Sequence, residues 1–189
     1  KTAMLYLNKR VEEVKNATNR ELLWILEHPT TYTAGVSFNK KEIIDKKIKI
    51  VKSNRGGKIT LHNPGQKIVY FVIDLNKRKK DIRKLINSIE KSIIQFLEIY
   101  KIQAKNDNKN IGIWVKDKKI AAIGIRVTRW IAYHGCSINI SNNLNQYLKI
   151  IPCGLDNKKV TSMSKLIDFK PKNFENNLAN IFIKNINNI

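Results

Sequence analysis

The chain has 189 residues, of which 42% are hydrophobic and 27% are charged, and this length and composition are typical of one folded domain with its own core. Its two cysteines and three histidines are too few for a disulfide framework and do not cluster as structural zinc ligands do. We therefore expect a single domain over residues 1–189, with no metal, and no apolar run approaches the about 20 residues needed to cross a membrane.

The formal net charge of +21 admits three explanations. It can mark a nucleic-acid surface, a docking face for acidic proteins, or a lysine-rich composition. Lysine is abundant together with asparagine and isoleucine, arginine is scarce, and the lysines are spread along the whole chain. Since readers of nucleic acid usually rely on arginine and on aromatic side chains, the sequence favours composition and acidic partners, and we expect no nucleic-acid partner.

The sequence begins with Lys1 and Thr2, without an initiator methionine and without the apolar core of a signal peptide. This start is typical of a cytosolic protein rather than a secreted one, so we expect a cytoplasmic location.

The first third of the chain predicts short strands and turns. We expect strands at Ala3–Leu7, Glu21–Glu27 and Ile48–Val51, because each is a short run rich in apolar residues. The threonine-rich stretch Pro29–Ser37 is interpreted as a loop, and the glycines near residue 56 indicate a turn.

The remainder predicts longer elements. Lys67–Leu75 is typical of a buried strand, and apolar residues at helical spacing predict a helix over Asp81–Tyr100 with Asp81 as its N-cap. The other predicted elements are a hairpin of Ile111–Val115 and Lys119–Val127, a strand at Ile131–Ile140, and a closing helix from Asn173.

Strands and helices do not alternate regularly along the chain. This order favours an α+β or mixed α/β layer fold, with a mixed sheet flanked by helices, over a doubly wound parallel fold.

Cys153 is the first candidate for chemistry. It lies between Pro152 and Gly154, so its thiol occupies a tight turn, and the glycine permits close approach of a ligand. A backbone N–H after a nucleophile can bind a developing oxyanion. Most intracellular cysteines are nevertheless structural, so this local context alone leaves both roles open.

A thiol nucleophile needs a base or a cation to become a thiolate. His62 and His134 are candidates, and so is Lys119, which opens an otherwise apolar strand. Burial disfavours the charged form of a lysine, so Lys119 could accept a proton, although most lysines beside a hairpin turn simply face solvent.

A second motif combines an arginine and two glycines with a histidine and a second turn, at residues 55–66. Its spacing differs from the P-loop and from the dinucleotide-binding fingerprint. A bare pair of glycines is usually only a turn, but here it occurs in the same short chain as the Pro-Cys-Gly turn.

Together these motifs resemble those of the lipoyl(octanoyl) transferase family, whose usual form of the second motif is Arg-Gly-Gly-x-x-Thr-Tyr-His-Gly-Pro-Gly-Gln. Four further segments match in order, within residues 20 to 165: Glu27–Gly35, Gly112–Gly124, His134–Ile140 and Pro152–Leu155. The chain departs from the usual form at Leu61, where the family has Tyr, and at Asn63, where it has Gly.

The resemblance implies a single octanoyltransferase catalytic domain of the biotin/lipoate protein ligase type, working without a cofactor. It would transfer octanoyl from acyl carrier protein to a lysine of lipoyl domains, in 2-oxoacid dehydrogenases and in the glycine cleavage system. Cys153 would carry the acyl group as a thioester, and Lys119 would activate it. The residues that the resemblance places at the acyl site are Arg55, Gly56, Gly57, Lys58, Ile59, Thr60, Leu61, His62, Ala122, Ile123, Gly124, Gly135, Cys136 and Ser137.

Two alternatives remain open. An ATP-dependent lipoate or biotin protein ligase shares the implied fold and part of the Arg-Gly-Gly motif, but it activates its acid as an adenylate and needs no nucleophilic cysteine. A non-catalytic protein that binds acyl groups or nucleic acid is the alternative from another class.

Overall fold

The computed structural model of the protein describes residues 2–107, 110–152, 160–168 and 174–189. Three helices and nine strands lie in these ranges. The helices are α1 (Thr2–Lys15), α2 (Ile82–Ile99) and α3 (Phe174–Asn187). The strands are β1 (Leu22–Leu26), β2 (Thr31–Ala34), β3 (Ile50–Lys52), β4 (Ile59–His62), β5 (Gln66–Asp74), β6 (Lys105–Asn106), β7 (Ile113–Val115), β8 (Lys118–Thr128) and β9 (Ile131–Asn139).

The strands form two sheets. The larger has the order β1-β5-β9-β8-β7-β6 and is antiparallel throughout. The smaller has the order β3-β2-β4, in which β2 pairs parallel with β3 and antiparallel with β4. The expected α+β fold with helices on its sheets is therefore confirmed, and the mixed pairing lies in the smaller sheet.

Helices α2 and α3 cover one face of the larger sheet. Helix α2 begins after Asp81, whose carboxylate accepts a hydrogen bond from the backbone N–H of Lys84, as predicted for an N-cap. Its apolar stripe includes Ile89, Ile93 and Phe96, all fully buried against the sheet and α3. This apolar face forms the main core.

Helix α1 corrects the first prediction, because residues 3–7 belong to a helix and not to a strand. Leu7, Val11 and Val14 lie three or four positions apart and are buried against Val72 and Tyr133 on the other face of the larger sheet. The first apolar residues alone were too few to distinguish the two periods.

The interpretation of Pro29–Ser37 as a loop was also wrong, since it contains β2. Tyr32 and Ala34 are buried while Thr31 and Thr33 are only partly buried, which is the alternation of a half-buried strand. Strand β4, inside the second motif, was not predicted either. The other predicted strands and helices are found within a few residues of their expected bounds.

None of the helices in the described ranges is long and apolar enough to cross a membrane.

Candidate active site

A cavity of about 750 Å³ opens between the smaller sheet and the larger one. Residue Lys119 and nearly all of the predicted acyl-site residues line it. The lining set from the prediction is Arg55, Gly56, Gly57, Lys58, Ile59, Thr60, His62, Ala122, Ile123, Gly124, Gly135, Cys136 and Ser137. Segments far apart in sequence are thus brought to one cavity.

The loop before β4 lies directly against β8, and glycine makes this contact possible. The backbone N–H of Gly56 donates to the carbonyl of Ile125 at 3.1 Å. A Cβ on Gly56 would lie 2.8 Å from that carbonyl oxygen, and a Cβ on Gly35 would lie 2.2 Å from the carbonyl oxygen of Gly57. A larger residue at either position would push the loop out of the cavity wall.

The guanidinium of Arg55 folds back into the cavity wall. Its Nη2 donates to the carbonyl and to the hydroxyl of Thr33, at 2.8 and 2.9 Å, and its Nη1 donates to the carbonyl of Gly56 at 3.0 Å. These bonds join the glycine loop to β2 and hold a fixed positive charge at the cavity.

Lys119 is buried, with 7% of its surface exposed. Its Nζ donates to the carbonyl of Ile111 at 3.0 Å and lies 4.9 Å from the ring centre of Trp114. The backbone hydrogen bond from Thr161 to the carbonyl of Lys119 fixes the strand beneath it. The amine is therefore held in one place, beside an aromatic face that favours a cation.

Cys153 lies outside the described residues, so its predicted role stays a prediction. The described residues on both sides of its segment lie beside Lys119. Pro152 and Val160 line a small second cavity together with Lys119 and Ser137, and Val160 forms a parallel bridge with Lys119. Pro152 and Val160, the described residues that flank this segment, thus both lie next to Lys119.

The profile of the family of lipoyl protein ligase A/B catalytic domains matches residues 2–183. The chain belongs to this family.

Curated octanoyltransferases are similar to this chain in sequence. The chain is 42% identical over 178 residues to the octanoyltransferase of Bartonella tribocorum, covering 87% of this chain and 73% of that protein. It is 43% identical over 166 residues to the octanoyltransferase of Wolbachia pipientis subsp. Culex pipiens, covering 85% of this chain and 81% of that protein. A crystal structure of lipoate-protein ligase A bound with ATP matches with a TM-score of 0.75 at 14% identity, covering 89% of this chain and 74% of that one, and confirms the expected fold.

Neither of the two departures from the usual motif is among the residues that line the cavity. Asn63 is almost fully buried and does not have positive φ, so its position needs no glycine. Its amide donates to the carbonyl of Asn143 at 2.9 Å and to Gln146 at 3.0 Å, and accepts from Asn142 at 2.9 Å. The hydrogen bonds of the Asn63 side chain therefore hold this turn in place.

Leu61 was predicted at the acyl site, but its side chain is not among the lining residues. It is fully buried in an apolar cluster with Tyr32, Tyr147 and Ile150, because side chains alternate along β4 and Thr60 and His62 take the cavity side. The position at which the family has a tyrosine hydroxyl therefore lies in the apolar layer behind the cavity.

Cys136 lines the cavity as predicted. Burial raises the pKa of its thiol well above the ordinary range, so the thiol stays protonated and unreactive at neutral pH. This agrees with its predicted place in the pocket wall.

His134 has a φ of +71° in the middle of β9, a conformation that is costly for a residue with a side chain. Its ring stacks on Tyr133 at 4.8 Å, and its Nε2 is bonded to the side-chain oxygen of Asn54 at 2.7 Å. Burial, with the positive charges of Arg55 and Arg126, lowers the pKa of His134 to about 4. In this neutral form it clamps the glycine loop through Asn54.

Sequence reasoning missed Asn54 and Tyr70. Asn54 donates to the hydroxyl of Tyr133 at 2.9 Å, and the hydroxyl of Tyr70 is bonded to His28 at 2.9 Å inside the cavity. Burial raises the pKa of Tyr70 to about 12 and lowers that of His28. A lone asparagine in a turn and a tyrosine in an apolar strand carry no chemical signal, so only the fold reveals them.

Proposed function

We propose that this protein is an octanoyltransferase of lipoate biosynthesis, which moves an octanoyl group from acyl carrier protein to a lysine of lipoyl domains through a thioester on Cys153. The observation that carries the proposal is the buried Lys119, which lies beside Pro152 and Val160 and at the wall of a cavity of about 750 Å³. The curated octanoyltransferases at 42% and 43% identity support the same activity.

The proposed cycle has two steps. Lys119 takes the thiol proton, and the thiolate of Cys153 attacks the thioester carbonyl of the donor. The C–S bond to the donor breaks, and the donor leaves as a thiol with the proton returned by Lys119. Exchange of one thioester for another is nearly balanced in free energy, so no ATP is needed. The amine of the acceptor lysine then attacks the enzyme thioester, and formation of an amide makes this step favourable.

The cavity wall suits an acyl chain. Ile123, Ile68 and Ala122 supply apolar surface, and burial of each methylene stabilises the complex by about 0.8 kcal/mol. The positive charge of Arg55 lies at the same wall, where a donor to a developing oxyanion lowers the barrier by about 3 kcal/mol.

The partner proteins are proposed to dock on the segment 36–58 next to the cavity, which we call the basic segment. It carries seven lysines and Arg55 against two acidic residues, and Lys52 and Lys58 line the cavity. The acids are already paired: Glu42 with Lys58 at 3.4 Å, and Asp45 with Lys149 at 3.2 Å. Such a surface favours acidic partners and increases their rate of encounter.

An ATP-dependent ligase is the main alternative. Adenylation uses Mg²⁺ held by carboxylates and phosphates, yet among the described residues that line the cavity none is aspartate or glutamate. The basic side chains at the cavity and the Pro-Cys-Gly turn favour the transferase.

Mass spectrometry of the intact protein mixed with octanoyl-acyl carrier protein tests the proposal. We expect an octanoyl adduct that hydroxylamine removes in the wild type, and no adduct in Cys153→Ala. Cys136→Ala is the matched control, because it removes the other cysteine and should still form the adduct.

Transfer that required ATP and free octanoate, with no adduct, would establish the ligase. An adduct that survived in Cys153→Ala but disappeared in Cys136→Ala would refute the assigned nucleophile. Tight, salt-sensitive binding to nucleic acid without any transfer would support a binding protein instead.

A further inference from the structure

The cavity contains fixed positive charge but few side chains that can act as a base. Arg55 supplies the charge, and among the described lining residues there is no carboxylate. Of the histidines, His28 and His134 already bond through Nε2 to Tyr70 and to Asn54. His62 instead bonds through Nδ1, to Gln66 at 2.9 Å.

A chain of buried amides fixes the proton on His62. The carbonyl of Thr161 can only accept, so the atom of Asn139 that faces it at 3.0 Å is the NH₂ group. The oxygen of Asn139 must then face Gln66, and it accepts from the Gln66 NH₂ group at 2.8 Å. The oxygen of Gln66 consequently faces His62, so Nδ1 of His62 must donate.

The relay is rigid because its members are buried. Gln66 is fully buried and Asn139 is 4% exposed. The second hydrogen of the Gln66 NH₂ group is also used, in a bond of 2.8 Å to the hydroxyl of Tyr147. A flip of either amide would place like groups against each other and leave buried donors unpaired, which is costly.

With its proton held on Nδ1, His62 presents the lone pair of Nε2 to the cavity that its ring lines. Burial and the nearby charge of Arg55 lower the pKa of His62 to about 3. The imidazole is therefore neutral at physiological pH, and its lone pair is available rather than protonated.

We propose that His62 is a catalytic residue of the second half-reaction, in which its Nε2 accepts a hydrogen bond from the ε-amine of the acceptor lysine and orients that amine in the cavity. This inference rests on the function proposed above, since it requires an amine acceptor. The positive charge of Arg55 disfavours an ammonium ion in the cavity, so the group that reacts is the neutral amine.

The step balances in atoms and charge. The acceptor ammonium loses one proton to water before it reacts. Its nitrogen lone pair forms the C–N bond to the acyl carbon while His62 holds one N–H. The C–S bond to Cys153 breaks, and a second proton from the nitrogen ends on the sulfur as a thiol.

The position of the proton can be measured without any substrate. The chain has only three histidines, so ¹⁵N-histidine NMR resolves each tautomer, and His62→Gln assigns the signal of His62. We expect the Nδ1–H form of His62 at neutral pH. Gln66→Met, which removes the acceptor, should release that preference, whereas Tyr147→Phe, which leaves the Asn139 bond in place, should keep it. An Nε2–H form in the wild type would overturn the proposal.

The chemical role is tested on the isolated octanoyl thioester enzyme, mixed with a lipoyl domain in a single turnover. We expect His62→Ala to slow transfer of the acyl group about 10- to 100-fold more than it slows formation of the thioester. His62→Gln, which retains an acceptor oxygen, should recover part of the transfer rate. The transfer rate of the wild type should rise with pH without a histidine titration between about pH 5 and pH 8.

Equal loss in both half-reactions, or an unchanged rate of transfer in His62→Ala, would overturn the role of His62. A wild type that forms no thioester would instead refute the proposed function, and the NMR result on the relay would still stand.

Discussion

The two faces of the larger sheet differ in what they bury. On the face covered by α2 and α3, the buried side chains are mainly apolar, and Phe96, Leu97 and Phe182 are fully buried. Towards the smaller sheet, buried polar groups such as Gln66 and Lys119 are held by specific hydrogen bonds. Burial of apolar surface stabilises the fold, whereas burial of polar groups adds little net stability and fixes geometry. Substitutions on the apolar face should therefore lower stability, whereas substitutions on the polar face should disturb the geometry of the cavity.

The largest expected effect is loss of catalysis in Lys119→Met. This variant keeps the length and much of the volume of the side chain but removes the amine, so we expect the rate to fall about 10³-fold. Lys118→Met is the matched control, because Lys118 is the neighbouring lysine and is exposed. Single-turnover acylation of both variants measures the effect, and equal rates would show that the polar face does not house the chemistry.

The next effect is loss of stability in Phe96→Ala, on the apolar face. Phe96 is fully buried, so its truncation should lower the free energy of unfolding by about 3 to 5 kcal/mol. Ile99→Ala is the control, since Ile99 on the same helix is 52% exposed and should cost about 0.5 kcal/mol or less. Urea unfolding gives both values. A large fall in the kcat of folded Phe96→Ala would contradict the prediction that the apolar face affects stability and not catalysis.

A smaller effect is the response of the polar face to acid. His134 is neutral in the folded protein, with its pKa lowered from 6.5 to about 4, whereas the unfolded chain binds a proton below its ordinary pKa. Its contribution to stability is therefore fully present above pH 6.5 and is lost as the pH falls towards 4, with a slope of at most about 1.4 kcal/mol per pH unit.

His134→Gln should lower that slope by one proton between about pH 7 and pH 5, where carboxylates contribute little. Urea unfolding across this range is the measurement. An unchanged slope would mean that His134 does not remain neutral on folding.

The smallest effect concerns the basic segment at the edge of the smaller sheet. Charge reversal at the exposed Lys46, Lys47 and Lys49 should raise the KM for acidic protein partners about fivefold at low salt, without a change in kcat. The same reversal at the exposed Lys79, Lys84 and Lys91, outside the basic segment, is the control. Added salt should remove the difference, and equal effects of the two sets would favour composition as the origin of the charge.

The elements that were predicted correctly are those whose pattern is long enough to show its period. Helix α2 repeats its apolar residues over five turns, and β5 and β9 are nine residues each. The predictions for the segments of α1 and β2 were wrong because each rested on a few residues. Burial against Val72 decides the structure of α1, and pairing with β3 and β4 decides that of β2. Local propensity is weak enough for such tertiary contacts to override it.

At the site, three chemical features could be predicted from the sequence alone. They are a cysteine between proline and glycine, a lysine in an apolar strand, and a glycine loop that ends in a histidine. Their motifs also determined the family, because glycines and reactive side chains at fixed spacing are readable without coordinates. Only the tertiary structure decided that the loop and β8 share one cavity, that Leu61 faces the layer behind it, and that His134 clamps the loop through Asn54. It alone fixed the proton on His62, because that depends on amides and a carbonyl from three distant segments, whose mutual orientation no local pattern encodes.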